Sequence, residues 1–373
     1  MTAPADGSGG PAAPLALIAE LTHRCPLSCA YCSNPLELER AGAELDTAAW
    51  LRVLEEAAEL GVLHVHFTGG EPMARRDLPK LVRRAAELQL YSNLITSGVL
   101  LDDAAMDALL KAGVDHIQLS FQDVDAGPGD QSGGYRGGHA KKLAAAARIK
   151  ASGLPLTLNF VVHRGNVDRT AEMLAMGEAL GASRIEIAHV QYYGWALLNR
   201  SALLPSFAQL ESATAAVEQA RERLKGRIVV DYVIPDYFAT RPKACMGGWG
   251  QRVINISPAG LAMPCHAAQT LPGFDFPSVR AHSLDDIWNR SEAFRRFRAP
   301  AWAPDGCRGC DRLEIDWGGC RCQAFALTGD ALRTDPACAL SPDHALMAEA
   351  VEAARGTTVI PRRVGGAPAP RSA

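Results

Sequence analysis

Cys25, Cys29 and Cys32 stand as C-x3-C-x2-C. The spacing puts three thiols on one short loop, where they can converge on a single inorganic centre. Thiolate is a soft donor suited to zinc, copper(I) or iron–sulfur centres. Three ligands leave one coordination position open, which marks a metal that acts on something rather than one that only holds a fold. A zinc knuckle is the competing reading, although such a site normally supplies paired C-x2-C units and a fourth donor; inert buried thiols are the other. The chain has ten cysteines, none lies between Cys32 and Cys245, and the other seven are Cys245, Cys265, Cys307, Cys310, Cys320, Cys322 and Cys338. Groups of three and seven are both odd, so neither pairs off into disulfides, and metal or redox chemistry is the expectation. Cys307 and Cys310 form a C-x2-C knuckle. Seven thiols are one donor short of two four-ligand sites.

A second chemical signal is Thr68-Gly69-Gly70-Glu71-Pro72. Paired glycines at a strand end let the backbone approach a ligand closely. A carboxylate beside exposed carbonyls can receive an ammonium group. Polar residues recur where later apolar runs end: Thr96, Ser97, Ser120, Gln122, Asn159, His189 and Gln191. Any one of them could equally be a satisfied core or loop group.

The elements that must position these residues are legible as alternating runs. Strands are expected at Ala16–Leu21, Val62–Thr68, Tyr91–Thr96, His116–Phe121, Leu156–Val162 and Arg184–Val190, most of them rich in Val, Ile and Leu as buried parallel strands are. Helical patterns lie between them: Asp46 can cap a helix running to Leu60, Asp77 starts another, and Asp102–Lys111, Ala140–Ala151 and Asp168–Leu180 follow. Repeated βα units predict an α/β fold, a partial (β/α)6 TIM-like barrel, with active residues at the C-terminal strand ends. Val253–Ile256 and Leu261–Met263 flank Ser257-Pro258-Ala259-Gly260 and read as a hairpin. Asp123–His139, with six glycines, reads as a mobile or substrate-covering loop, and Gln191–Asn199 as an aromatic-rich loop. The ends are expected to be disordered: residues 1–13 are rich in Ala, Pro and Gly, and Ala354–Ala373 in Pro, Gly and Arg.

The net charge is −3 at pH 7, which argues against a nucleic-acid binder. No apolar run reaches the ~18 residues of a membrane-crossing helix. The N-terminus lacks a basic region followed by an apolar one, so no signal peptide is expected and the cytoplasm is the expected location.

The C-x3-C-x2-C loop after a first strand, followed one βα unit later by GGEP, resembles the radical S-adenosylmethionine (SAM) superfamily. The resemblance implies a 4Fe-4S cluster on Cys25, Cys29 and Cys32, with SAM bound at the fourth iron. It implies SAM contacts from Tyr31 and from Gly69, Gly70, Glu71 and Pro72; Ser120, Asn159 and Gln191 are further candidates. The later cysteines resemble the SPASM extension, which carries two auxiliary iron–sulfur clusters, 2Fe-2S or 4Fe-4S. That pattern has a C-x5-C-x3-C run beginning at Cys310, and here its middle position falls on Asp316. The resemblance then implies one auxiliary site from Cys245, Cys265, Cys320 and Cys322, and a second from Cys307, Cys310, Asp316 and Cys338. Asp316 is thus the candidate for the missing donor. The expected organisation is a radical SAM barrel over 14–235, a SPASM domain over 236–345, and a helix end and tail over 346–373.

The Cys-to-Asp exchange, Cys320-Arg-Cys322, and the stretches LTHRCPLSCAYCSNP (21–35), NLITSGV (93–99) and AHVQYYGWALLNR (188–200) are similar to radical SAM enzymes of pyrroloquinoline quinone (PQQ) biosynthesis. That resemblance implies a carbon–carbon crosslink between a Glu and a Tyr of a ribosomal precursor peptide. It implies two partners, a small peptide-binding chaperone expected as a separate chain and a flavodoxin-like reductant. His189, Tyr192 and Tyr193 are the candidates for the base that takes the Tyr ring proton. The alternatives are another SPASM peptide modifier, thioether-forming or Cys/Ser-oxidising, and a non-catalytic zinc scaffold.

Overall fold

A computed structural model describes residues 11–298, 300–356 and 358–362. Seven parallel strands follow one another across the sheet: β1 (Ala16–Glu20), β2 (His64–Thr68), β3 (Tyr91–Thr96), β4 (His116–Phe121), β5 (Leu156–Val162), β6 (Arg184–His189) and β7 (Val229–Val233). The sheet is open, and the fold is an α/β partial barrel. The first six strands each lead into helix. These helices are α1 (Thr47–Glu59), α2 (Leu78–Glu87), α3 (Asp103–Ala112), α4 (Ala126–Gly133), α5 (Gly138–Ser152), α6 (Thr170–Ala179), α7 (Gly194–Leu198), α8 (Arg200–Leu203) and α9 (Phe207–Leu224).

Local sequence explains the helix boundaries. The Asp46 carboxylate accepts from Ala49 N at 2.8 Å and the Asp102 carboxylate from Ala105 N at 2.8 Å, satisfying donors that a helix start leaves open. Ser206 and Gln209 form a reciprocal capping box on α9. Asp77 caps nothing with its side chain; both its oxygens go to Arg75, at 2.9 and 2.6 Å. Arg75 in turn donates to the carbonyls of Leu21 and Leu45, at 3.2 and 2.8 Å, and so pins the chain just beyond β1. The strands and the inner helix faces share one apolar core, in which Leu17, Phe67, Leu119, Phe160 and Ile187 are fully buried.

Three strands lie beyond the six βα strands expected, and of these only β7 was not anticipated as a strand. β7 carries Asp231, whose pairing with Arg184 on the neighbouring strand satisfies a charge that breaks the apolar run. β8 (Val253–Ile256) does form the expected hairpin with β9 (Ala262–Met263), but it also joins the barrel sheet, parallel to β1, with Ala16 opposite Val253 and Ala19 opposite Ile256. The barrel thus borrows a strand from the cysteine-rich region.

Two expected loops and the described parts of both expected tails take other forms. The glycine-rich segment contains α4. Its Gly133 carbonyl accepts from Ser28 N at 2.8 Å, and a Cβ on Gly134 (φ +62°) would lie 2.0 Å from Ser28 Oγ. Low helix propensity argued for a loop, but here missing side chains permit close packing. The aromatic-rich loop closes into α7. Of the expected disordered ends, Ala12 is held by a hydrogen bond from Trp288 Nε1 at 3.1 Å, and residues 354–356 and 358–362 lie against the barrel. Residues 1–10 and 363–373 lie outside the described residues. Among the described residues, no helix is long and apolar enough to cross a membrane.

Candidate active site and metal centres

The loop from Thr22 to Asn34 leaves β1 with Cys25, Cys29 and Cys32, and its backbone is clamped from three sides. On the first, Gly70 N donates to Thr22 O at 2.5 Å and Glu71 N to Arg24 O at 2.8 Å. A Cβ on Gly69 would come within 2.4 Å of Thr22 O, and one on Gly70 within 2.5 Å of Arg24 O. The glycine pair therefore lets β2's end approach the cysteine loop, a role beyond the approach to a ligand that the sequence pointed to. On the second side stands α4, through Ser28. On the third, Ala196 N donates to Cys32 O at 3.1 Å, and Asn199 Nδ2 to Ala30 O at 2.9 Å.

The three thiols open on a cavity of about 300 Å³ at the C-terminal ends of the strands. Tyr31, Gly69, Gly70, Ser120, Asn159, His189 and Gln191 line it with the cysteines, as do Thr96, Ser97 and Gln122. Glu71 and Pro72 do not. The Glu71 carboxylate is fully buried and engaged by the protein: it accepts from Thr96 Oγ1 (2.7 Å), Ser97 N (2.8 Å), Met73 N (3.1 Å) and Ser97 Oγ. It fixes the end of β3 and offers no free oxygen to an ammonium group. Tyr192 and Tyr193 also lie outside this cavity. They border a small pocket with Asp236 and Gln323, and the Tyr193 hydroxyl is 3.1 Å from Cys320 Sγ.

Electrostatics suit a bound, polar ligand. Burial pushes the Cys25 thiol up to about 12 and raises Cys29 too, so metal loading must displace protons from these sulfurs. Several buried polar atoms on the cavity wall have no partner among the described residues: Tyr31 OH, Asn159 Oδ1, His189 Nδ1 and Arg362 Nε. Uncompensated polar burial is costly, so a ligand with complementary groups fits here. Lys142, on α5, is 97% buried, donates to Ser120 O at 2.8 Å and is held down to about 8 by desolvation. Sequence reading passed over Lys142, although its position three, four and seven residues before Ala145, Ala146 and Ile149 places it on the buried face of α5. Arg362 was also missed, because it sits in a tail read as disordered.

The later cysteines fall into two groups. Cys245, Cys265, Cys320 and Cys322 face one another in an apolar surround that includes Trp249, Met263 and Phe297. The four thiols are buried and electrostatically coupled, so loading a metal centre must displace protons from them. Cys307, Cys310, Asp316 and Cys338 line a separate cavity of about 430 Å³. Asp316 is buried; Oδ1 accepts from Gly318 N at 3.0 Å, and Oδ2 lies 3.5 Å from Arg312 Nε. Among the described residues, no three such donors close on a single ion. Asp335, 1% exposed, joins the groups: it accepts from Cys320 N (2.6 Å) and Gln323 Nε2 (2.9 Å), while its carbonyl accepts from Cys338 N (2.9 Å).

Residues 19–176 match the radical SAM superfamily, and residues 245–311 match the iron–sulfur cluster-binding domain SPASM. The SAM-bound crystal structure of Streptococcus suis SuiB shares the fold, with a TM-score of 0.73 at 20% identity over 88% of this chain and 78% of that one. Fold and cysteine sites thus define a radical SAM enzyme with a SPASM domain, which uses SAM and iron–sulfur clusters. The PqqA peptide cyclase of Granulibacter bethesdensis is 65% identical over 360 residues, 96% of each chain. That of Gluconobacter oxydans is 63% identical over 342 residues, 92% of this chain and 95% of its own. The chain belongs to the PqqA peptide cyclase family.

Proposed function

We propose that the protein cyclises a ribosomally made precursor peptide in PQQ biosynthesis, joining a Glu side-chain carbon to the ring of a Tyr. The observation that carries this reading is the clamped C-x3-C-x2-C loop on a cavity with unpartnered polar atoms, in a chain 65% identical to a PqqA peptide cyclase. Cys25, Cys29 and Cys32 would hold a 4Fe-4S cluster; Tyr31, Gly69, Gly70, Ser120, Asn159 and Gln191 would surround SAM, with Lys142 as a nearby cation. When bound, SAM and the clusters supply a primary carbon radical that takes hydrogen from the peptide and an acceptor for the electron released as the Tyr ring regains aromaticity.

The chain's own part is to orient, exclude water and handle the remaining proton. Burial pushes the His189 imidazole down to about 3, so it stays neutral at working pH, and its unpartnered Nδ1 is available as an acceptor. Burial raises Tyr192, and Tyr193 well above the usual phenol range, so both stay phenols. Eleven donors divide as three, four and four, with Cys245, Cys265, Cys320 and Cys322 on one auxiliary cluster and Cys307, Cys310, Asp316 and Cys338 on the other. A separate small peptide-binding chaperone and a flavodoxin-like reductant are the partners, and the cytoplasm the location. The radical SAM unit spans 14–235 and the SPASM unit 236–345. Mass spectrometry of a Glu/Tyr precursor peptide, incubated with reduced enzyme, SAM and chaperone, tests the reading. A loss of two hydrogens joining Glu to Tyr is expected; an unmodified peptide with fully loaded clusters would overturn it.

A further inference from the structure

The end of the described chain runs back over the barrel as a strap. Arg164 Nη1 donates to Gly356 O at 3.3 Å, and Nη2 to Ala354 O. Asn199, 1% exposed, pairs with Ile360 in both directions: Nδ2 donates to the carbonyl at 3.0 Å, and Oδ1 accepts from the amide at 2.6 Å. The same Asn199 amide also donates to Ala30 O. One side chain therefore fixes both the cysteine loop and the strap. Two residues past this anchor, Arg362 enters the main cavity, 5% exposed, with Nε lacking a partner among the described residues.

A buried guanidinium without a counter-charge is strongly disfavoured. Among the described residues the cavity wall holds no Asp or Glu, and the Glu71 carboxylate at the end of β2 is fully engaged by Thr96, Ser97 and Met73. The charge of the Cys25 and Cys29 sulfurs reaches Arg362, but sulfur offers no pair of oxygens to its fork of donors, and a bound ligand can. A guanidinium presents donors in a planar fork that matches a carboxylate in two parallel bonds. We propose that Arg362, carried into the cavity by this C-terminal strap, is a carboxylate-binding residue of the site. Two molecules in the reaction carry such a group: SAM, at its methionine end, and the peptide, at its Glu side chain. The peptide source rests on the function proposed above; the SAM source does not.

The test uses the full-length protein, reconstituted anaerobically, with R362Q and the charge-conserving R362K. Iron content must match the wild type in both. SAM and decarboxylated SAM are titrated without peptide; the precursor peptide and its Glu→Gln form are titrated with SAM present. If SAM supplies the carboxylate, R362Q weakens SAM tenfold or more, leaves decarboxylated SAM unchanged, and R362K recovers part of the loss. If the peptide supplies it, SAM binding is unchanged, R362Q weakens the Glu peptide tenfold or more, and the Gln peptide binds both proteins alike. Affinities for both ligands within twofold of wild type would overturn the proposal. So would tighter SAM binding in R362Q, which would make the arginine a plug. A wild-type enzyme that binds SAM through Arg362 yet never crosslinks the peptide would sink the proposed function and leave this assignment standing.

Discussion

Replacing Glu71 by Gln separates two roles that the sequence could not tell apart. If the carboxylate receives the ammonium group of SAM, the change should weaken SAM and leave the protein without SAM unaffected. The structure gives the carboxylate another task. Oε1 accepts from Thr96 Oγ1 and Met73 N, and Oε2 from Ser97 Oγ and Ser97 N. A Gln amide must turn its NH2 toward one of these pairs. The hydroxyl in either pair can rotate to accept, but the backbone N–H cannot. One buried N–H is left facing another donor, at about 1–3 kcal/mol, and the remaining bonds lose their charge assistance, for a total of about 2–4 kcal/mol. Spread over the local opening that frees Ser97 and Met73, this corresponds to roughly 30- to 1000-fold faster amide exchange. Hydrogen exchange with mass spectrometry on peptides spanning 71–75 and 94–99, without SAM, reads it directly. Unchanged protection in E71Q together with a tenfold weaker SAM affinity would refute the brace and restore the direct contact.

Two further outcomes follow from the geometry. Asp316→Ala should alter the EPR signal of one auxiliary cluster and leave the SAM-binding cluster's signal intact; an unchanged auxiliary spectrum would remove Asp316 from the ligand set. The second concerns acid stability. Burial lowers His189 from 6.5 to about 3. Between these values the unfolded chain binds the proton and the folded chain does not. The site's contribution is therefore complete above pH 6.5 and is lost as pH falls toward 3, by about 2 kcal/mol at pH 5. H189Q should flatten the acid limb of the apoprotein's stability curve, measured by urea midpoint at several pH values, and an identical slope in both proteins would contradict the assignment.

The six βα units were legible because each repeats a local signal, an apolar run of strand length with a polar residue near its end, and two of the helices add a capping carboxylate, Asp46 and Asp102. The cysteine loop was legible for the same reason, since its spacing lies within eight residues. Long-range pairings were not. Nothing in Val253–Ile256 distinguishes a strand that pairs only with its hairpin partner from one that also adds to β1. Glycine held more than its sequence showed: Gly69 and Gly70 line the cavity and also let β2's end meet the cysteine loop's backbone, and the Gly-rich segment packs against Ser28. Arg362 depends on Asn199, more than 160 residues away, for its place in the cavity. Lys142 was recoverable from helical periodicity, but its neighbour Lys141 is exposed, and the pair reads as a solvated patch.

The position of β8 beside β1 bears on how the protein is made and how it can be rebuilt. Synthesis at roughly 5–20 residues per second leaves β1 with an open edge for on the order of ten seconds to most of a minute before Val253 is added. During that interval the strand that launches the cysteine loop is exposed to pairing with other chains. The same pairing sets the cut point for exchanging modules between relatives. A graft joined just before Cys245 would strip the barrel of a strand, whereas one that keeps Val253–Ile256 with its parent barrel preserves both neighbours of β1.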